Sequence, residues 1–130
     1  MKKVLVLLLL MVSTSVFAEW TRVAGTPDGD ITAYADSETI KRKGSKVKMW
    51  SMNDYKTVHS LDNGGYLSGA SYDEYDCEGG TRRMLDLYLY SGNMRSGDIV
   101  YSSNNIKDEA TSILPGSIDE TLFKITCSKK

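Results

Sequence analysis

Two cysteines, Cys77 and Cys127, constrain the fold of this chain more than any other feature of its sequence. They are the only cysteines among its 130 residues, and they lie 50 positions apart. An isolated pair in an oxidising compartment forms a disulfide, whereas a redox dithiol or a metal site requires a CxxC motif or clustered His and Cys. The sequence therefore predicts a Cys77–Cys127 disulfide, to which the chain-entropy model assigns about 4 kcal/mol of stability.

The first 18 residues have the pattern of a secretory signal peptide. Lys2 and Lys3 form a basic start, and the apolar run at residues 4–12 is too short to span a bilayer. Val16 and Ala18 place small residues at positions −3 and −1 of a signal peptidase site. We therefore expect a signal peptide at residues 1–18 and a single exported domain at residues 19–130, in the oxidising surroundings that a disulfide needs.

The charge of the predicted mature chain argues against some classes of partner. Without Lys2 and Lys3, the basic residues fall from 16 to 14 against 17 acidic ones, which is a net charge of −3. This balance argues against nucleic acid and against a polybasic membrane anchor. The mature chain has no second apolar run of about 18 residues, and Glu19 stands where a lipoprotein would need cysteine. We expect an exported protein of the periplasm, the cell surface or the medium, with no membrane anchor in its mature chain.

Hydrophobic patterning over most of the mature chain has the period of two that is typical of β-strands. Six strands are predicted, separated by turns rich in Gly, Asn, Asp and Ser, at residues 20–23, 31–34, 46–58, 66–77, 82–91 and 98–103. We expect the second strand to end in a turn at residues 36–39, and residues 41–44 to form a charged hairpin tip. Short connections of this kind join neighbouring strands into an antiparallel meander.

The period changes after Pro115-Gly116, where the sequence indicates a helix. Ser117 is a good N-cap residue and Glu120 completes a capping box, while apolar residues recur at helical spacing from Ile118 to Ile125. A helix of about nine residues is marginal alone in water, so packing and the disulfide must hold it. The predicted fold class is α+β: a six-stranded antiparallel β-sheet meander with a C-terminal α-helix tethered to one face by a disulfide.

The connection after Cys77 leaves two registers open. A two-residue turn at Gly79-Gly80 would place Cys77 on the sheet face opposite to Leu85, Leu87 and Leu89. A loop of odd length or a bulge would place Cys77 and the three leucines on one face, where a tethered helix could cover them. We favour the second register.

Catalysis and metal binding find little support in the sequence. His59 is the only histidine, so no Ser or Cys nucleophile has an obvious base with an orienting acid. The acidic residues between 73 and 78 lack the spacing of a calcium loop, and pairing with Arg82 and Arg83 on the next strand explains them more simply. No pair of carboxylates is singled out for glycoside hydrolysis. We therefore predict no catalytic residues, no metal site and no cofactor.

Binding is the better-supported class of function. All eight tyrosines lie in the mature chain, although tyrosine is also a good strand residue on a half-buried sheet. The one dense basic segment predicts contact residues for an acidic partner, a polyanion or a surface glycan at Lys41, Arg42, Lys43 and Lys46. Solvated charge that blunts a strand edge is the alternative interpretation. A homodimer is a further prediction, because a sheet covered on one side leaves a second face and edges to bury.

Five short motifs between Trp20 and Cys127 carry a resemblance to a known family. In chain order they are Tyr34-x-Asp36-x-x-Thr39-Ile40, Gly44-x-x-Val47-x-x-Trp50, Tyr75-Asp76-Cys77, Tyr90-x-Gly92-x-Met94-x-x-Gly97 and Pro115-Gly116-Ser117-Ile118-x-Glu120-x-Leu122-Phe123-Lys124-x-x-Cys127. The last motif is the most specific, because a helix cap and a terminal cysteine come in order. Together the motifs resemble the surface-adhesin protein E-like proteins of Gram-negative bacteria.

The resemblance implies a six-stranded antiparallel sheet with a C-terminal helix tethered by a disulfide, in agreement with the patterning. It also implies binding of host extracellular-matrix and plasma proteins such as vitronectin, laminin and plasminogen, as in the member for which the family is named. The functional prediction is an exported non-enzymatic binding protein with host matrix or plasma proteins as partners. The alternative prediction is a soluble periplasmic ligand-binding or inhibitor-like module that acts on a cell-envelope component.

Overall fold

The computed structural model describes residues 19–62 and 64–128 of the chain. The signal peptide predicted at residues 1–18 lies outside the described residues and stays a prediction, as does the domain boundary at residue 19. The described elements are β1 Thr21–Gly25, β2 Ile31–Lys43, β3 Lys46–Leu61, β4 Gly64–Asp76, β5 Thr81–Tyr90, a 3₁₀ turn Asn93–Arg95, β6 Ile99–Ser103, β7 Thr111–Ser112 and α1 Ile118–Ser128.

The strands form one antiparallel sheet in which the spatial order follows the chain order. Strands β1 to β6 pair successively, and the two-residue β7 pairs with the start of β5. The six-stranded meander predicted from the sequence is confirmed. The short β7 is an addition to the prediction, because two residues are too few to show a hydrophobic period.

A bulge in β2 stands where the sequence predicts the end of that strand. The pairing with β3 shifts between Asp36 and Lys41, but the strand continues. The expected turn chemistry is present, since Asp36 Oδ1 accepts the Glu38 N–H at 3.2 Å and Thr39 Oγ1 donates to the Asp36 carbonyl at 2.7 Å. Thr39 Oγ1 also accepts the Trp50 N–H at 3.0 Å, so β3 keeps this segment in the sheet. The predicted strand end was therefore wrong, because pairing with the neighbouring strand outweighs the local turn signal.

Helix α1 begins where its capping box predicts. Ser117 Oγ accepts the N–H of Glu120 at 3.1 Å, and Glu120 Oε1 accepts the N–H of Gly116 at 3.4 Å. The helix continues for 11 residues across one face of the sheet. It closes a buried cluster that comprises Ala35, Met49, Tyr75 and Leu122.

The loop after β4 and a bulge in β5 set the register between these two strands. Residues 77–80 form the loop after β4, and the pairing with β5 skips one residue at Leu85. The four-residue loop places Tyr75 opposite Arg82, and the bulge beyond it places Ser71 opposite Leu87. An arginine lies in this way beside Tyr75 under the helix. The favoured register is therefore confirmed for Leu87 and Leu89, which share the face of Tyr75, but not for Leu85, which is the bulge residue. The expectation that the helix covers the leucines was wrong, because α1 packs mainly on β1 to β4.

The Cys77–Cys127 disulfide predicted from the sequence is present, and its two Cα atoms are 5.7 Å apart. It joins the last turn of α1 to the residue that follows β4. The Cys77 N–H also donates to the Ser45 carbonyl at 2.8 Å. The disulfide therefore fastens the end of the helix beside the turn between β2 and β3.

Loss of the disulfide is expected to lower the free energy of unfolding by about 4 kcal/mol, a large part of the stability of a small domain. Cys77→Ser and Cys127→Ser should cost the same, and the double variant no more than either, because each removes the same covalent bond. Denaturant unfolding of the three variants measures these values. A clearly additive loss in the double variant would show that the two thiols act separately.

Candidate functional site

The sheet has one face that α1 covers and one that the helix leaves open. Met49 and Tyr75 are fully buried in the core beneath the helix. Successive residues of a strand point to opposite faces, so Lys48 and Trp50 point away from the helix, and both are half-buried. We name this second side the open face; the pairing of β3, β4 and β5 places on it Lys48, Trp50, Tyr72, Glu74 and Tyr88.

Two pairs of lysines oppose each other across the β2–β3 hairpin on the open face. Lys41 lies opposite Lys48, and Lys43 lies opposite Lys46. Directly opposite side chains have Cβ atoms about 5 Å apart, and like charges in such positions destabilise a sheet. We name these four residues the lysine cluster. Their mutual repulsion lowers the stability of the sheet, and a bound partner of opposite charge would remove that repulsion.

Glu74 offsets only part of the charge of the lysine cluster. Its Oε1 atom is 4.0 Å from Lys46 Nζ and 3.3 Å from Arg83 Nη2, so one carboxylate is shared between two cations. The Asp76 carboxylate is engaged elsewhere, because its Oδ1 accepts two N–H groups of the loop after β4 at 3.1 and 2.9 Å. The hairpin therefore presents a surplus of positive charge on a protein that is acidic as a whole.

Three aromatic rings form a row across β3, β4 and β5 beside the lysine cluster. Trp50 stacks on Tyr72 with ring centroids 5.2 Å apart and 23° between the planes, and its centroid is 6.1 Å from that of Tyr88. The Tyr88 hydroxyl donates to Asn104 Oδ1 at 2.6 Å. All three rings are half-buried. This aromatic row gives the open face apolar surface with polar edges, a combination that is enriched at binding sites.

A turn of unusual backbone conformation bounds the other end of the open face. Met94 and Arg95 have φ values of 53° and 63°, in the left-handed region that favours glycine. Asp54 Oδ1 accepts the Met94 N–H at 2.8 Å and so helps to hold the turn. The Arg95 guanidinium lies 5.4 Å from the Tyr90 ring centroid and 5.7 Å from that of Trp20. Strain of this kind persists only where surrounding contacts enforce it, and it concentrates at binding sites.

Two clefts flank the aromatic row. The first, which we name the cationic cleft, has a volume of about 680 Å³ and is lined by the lysine cluster with Arg42, Tyr72 and Glu74. The second, the aromatic cleft, has a volume of about 420 Å³, and its lining includes Trp20, Trp50, Tyr88, Tyr90 and Arg95. The open face thus offers charge on one side of the row and ring surface on the other.

Three of the four contact residues predicted from the sequence come together in the cationic cleft. Lys41, Lys43 and Lys46 are exposed there, and their role in binding stays a prediction. Sequence reasoning omitted Lys48, although pairing the two arms of the predicted hairpin would have set it opposite Lys41. The missing signal was therefore the register of the hairpin.

Arg42, the fourth predicted contact residue, has a partner on the helix side. It lies opposite Val47, and its Nη2 atom donates to the Cys127 carbonyl at 3.0 Å. A positive charge at this position suits the negative end of the helix dipole. Arg42 therefore stabilises the end of α1 even though it also lines the cationic cleft.

Asp73 and Arg82 form a buried ion pair beneath α1. Asp73 is fully buried, its Oδ1 is 3.1 Å from Arg82 Nη2, and Arg82 Nη1 is 3.5 Å from Asp119 Oδ2 on the helix. Burial raises the pKa of the Asp73 carboxyl, and the Arg82 charge offsets only part of that rise. The pairing predicted between the acidic residues and the following strand is confirmed here.

His59, the only histidine of the chain, contacts an acidic residue and two aromatic rings. Its Nε2 atom is 3.0 Å from Asp30 Oδ2, and its ring centroid is 4.2 Å from that of Tyr55 and 5.6 Å from that of Tyr66. Hydrogen bonds from Thr57 and then from His59 lower the pKa of the Asp30 carboxyl. These contacts fasten the ends of β3 and β4 to the turn before β2.

The candidate functional site is the open face, with its lysine cluster and aromatic row. In the described part of the chain, no group of three or more His, Cys, Asp or Glu side chains is arranged to hold a metal ion. Across residues 19–62 and 64–128, no helix has the length and apolar character that crossing a bilayer requires.

Known proteins resemble this chain in sequence pattern and in fold. A family model described as Surface-adhesin protein E matches residues 20–128. A search of curated proteins gave no match. Crystal form II of Haemophilus influenzae protein E matches with 15% identity and a TM-score of 0.60, over 88% of this chain and 91% of that chain. A second structure of protein E from Haemophilus influenzae has the same identity and TM-score and covers 88% of each chain. At this identity the structural match shows a shared fold.

Asp73→Asn is expected to change how stability depends on pH. Because the pKa of Asp73 is raised by folding, the folded protein holds this proton at pH values where the unfolded chain has already released it. The contribution of the Asp73 carboxyl to stability is therefore greatest below its ordinary pKa. The unfolding free energy of the wild type, minus that of Asp73→Asn, should therefore fall as the pH rises through the raised value. Denaturant unfolding across that pH range measures the difference, with the exposed Asp98→Asn as the control. A difference that grows with pH would contradict the assignment.

Lys41→Glu is expected to stabilise the domain, because it replaces the repulsion with Lys48 by an attraction. The gain should be about 0.5–1 kcal/mol at low ionic strength and should shrink in high salt, which screens exposed charges. Denaturant unfolding at two salt concentrations measures it. Lys56→Glu, at an exposed position outside the cluster, is the control. Equal effects of the two substitutions would show that the clustered lysines do not repel one another.

Proposed function

This chain belongs to the surface-adhesin protein E family, and from that membership we propose that it is an exported, non-enzymatic protein that binds host matrix or plasma proteins at the cell surface. The signal peptide predicted at residues 1–18 supplies the export step. The proposal gives the domain no catalytic residues and no cofactor. The domain acts by binding, and the open face of the sheet is its binding surface.

The observation that carries the proposal is the lysine cluster on the open face. Four lysines in two opposed pairs weaken the sheet, and a cost in stability is common where a protein keeps residues for binding. Lys41, Lys43 and Lys46 are exposed at the hairpin, where a large partner can reach them. Arg42 contributes by holding the hairpin beside the helix and by lining the same cleft.

A soluble periplasmic module that acts on a cell-envelope component is the second candidate function. The aromatic cleft favours it, because Trp20, Tyr90 and Arg95 line a concave surface suited to a small amphipathic molecule. The homodimer predicted from the sequence is compatible with either candidate. Sedimentation of the purified domain at several concentrations tests the homodimer.

Protease shaving of intact cells separates the two candidate functions. The adhesin is expected to be cleaved on intact cells while a periplasmic marker stays whole. Full protection of the chain, with recovery from the periplasmic fraction, would contradict surface adhesion and favour the periplasmic module. The assay needs no knowledge of the ligand.

Removal of the hairpin charge is expected to weaken binding to immobilised matrix and plasma proteins. Lys41→Gln with Lys43→Gln should raise the dissociation constant about tenfold, which corresponds to about 1.4 kcal/mol. The matched control is Lys56→Gln with Lys124→Gln, which removes the same charge from exposed positions outside the lysine cluster. Surface binding titrations measure both variants, and equal affinities for the two would refute the role of the hairpin.

A further inference from the structure

We propose that the open face binds a sulfated polysaccharide chain of the extracellular-matrix type, with its sulfate groups on the lysine cluster and its sugar rings on the aromatic row. The inference rests on the proposed function, since it names the chemical class that the binding face recognises. It adds that part of the attachment to matrix is made through glycan chains, in addition to protein surface.

The arrangement of the lysine cluster fits a polymer with repeated negative charges. Opposed residues on the two strands lie about 5 Å apart, and residues two apart on one strand lie about 7 Å apart. Lys41, Lys43, Lys46 and Lys48 therefore form a small lattice of positive charge on one side of the hairpin. A chain with regularly spaced anions meets several of these charges at once and releases its own counterions on binding.

The lysine side chains make the cluster a set of movable point charges. Arginine provides a planar fork that fits one oxyanion at a fixed geometry, whereas lysine acts as a compact point charge on a flexible stem. Arg83, the arginine next to the cluster, already pairs with Glu74 at 3.3 Å, and Arg42 donates to the Cys127 carbonyl. The lysines therefore select a partner by its density of negative charge, and the aromatic row beside them favours sugar rings over an acidic protein segment.

The aromatic row supplies the second part of the recognition. Trp50 and Tyr72 stack within 5.2 Å and remain half-buried, so part of their ring surface is accessible beside the lysines. A sugar ring has an apolar C–H face and polar edges, and it packs on aromatic surface of this kind. Lys46 and Trp50 are four residues apart on β3, a span of about 13 Å. A short oligosaccharide can therefore touch the charge and the rings together.

The charged residues at the borders of the site determine which path a bound polysaccharide follows. Asp108 and Glu109 line a neighbouring cleft with Arg83 on the β7 side, where they repel an anionic polymer. Arg95 lies at the opposite end of the open face, beyond Trp50 and Tyr88, in the aromatic cleft. The favoured path therefore leads from the β2–β3 hairpin over the aromatic row toward Arg95.

A titration with a heparin oligosaccharide of defined length tests the proposal on the purified, disulfide-bonded domain. The sulfated oligosaccharide is expected to bind, and the same oligosaccharide without sulfate should bind at least about tenfold more weakly. Lys41→Gln with Lys43→Gln should lower the affinity about tenfold and reduce the slope of log affinity against log salt by about two, one for each lysine removed. Lys56→Gln with Lys124→Gln is the matched control outside the lysine cluster, and it should change the affinity and the slope clearly less.

The indole N–H signal of Trp50 in an NMR spectrum reports on the aromatic row. The chain has two tryptophans, and a Trp20→Phe variant serves only to assign their signals. The Trp50 signal is expected to shift on addition of the sulfated oligosaccharide. An unchanged Trp50 signal at saturation would overturn the placement of sugar rings on the aromatic row.

The remaining outcomes separate this proposal from the proposed function and from other partners. Equal binding of the desulfated oligosaccharide, or equal competition by duplex DNA or by an acidic peptide, would overturn recognition of a sulfated glycan. Stronger binding of bacterial lipopolysaccharide than of the heparin oligosaccharide would overturn the extracellular matrix as the source of the glycan.

Matrix-protein binding that survives enzymatic removal of glycans, without oligosaccharide binding, would overturn the inference and leave the adhesin proposal intact. Oligosaccharide binding by a chain that proteases cannot reach on intact cells would overturn the adhesin instead.

Discussion

The packing of one short helix on one face of the sheet, closed by the Cys77–Cys127 disulfide, is the contact on which the rest of the structure depends. Leu122 and Tyr75 are buried in that contact, and Thr126 is buried with its hydroxyl donating to the Leu122 carbonyl at 2.6 Å. A helix of 11 residues is marginal alone in water, so α1 depends on its packing against the sheet and on the disulfide. Because the core is concentrated on this face, the opposite face is free to carry groups that weaken the fold.

The two faces of the sheet differ in how their charged side chains are placed. Under the helix, Asp73 is buried and lies beside Arg82, since an unpaired charge in that environment would be very costly. On the open face, water screens the lysine cluster, and the repulsion between Lys41 and Lys48 costs only a fraction of a kcal/mol to about 1 kcal/mol. The same chain therefore restricts charge where the fold needs stability and accumulates it where a partner can bind.

The parts of the fold that the sequence predicts are those set by local chemistry. The helix start at Ser117 depends on side chains within four residues, and the disulfide follows from a supply of only two cysteines. The bulges after Asp36 and at Leu85 were not predicted in place, because pairing between neighbouring strands decides them. Of the candidate site, the three exposed lysines could be found from the local run of basic residues in the sequence. Lys48 and the helix-side role of Arg42 could not, since both depend on the register of β2 against β3.

The disulfide also determines how the domain responds to mechanical force. Strands β5, β6 and β7 and most of α1 lie between Cys77 and Cys127, so a pull from before the first cysteine to beyond the second passes through the sulfur–sulfur bond and bypasses them. The cysteines are 50 positions apart in sequence, which corresponds to roughly 165–180 Å of extended chain that tension cannot draw out. Under such a force, only the segment that contains β1 to β4 can be extended. The β2–β3 hairpin with its lysines lies within this segment, next to the position where the disulfide joins the helix to the sheet.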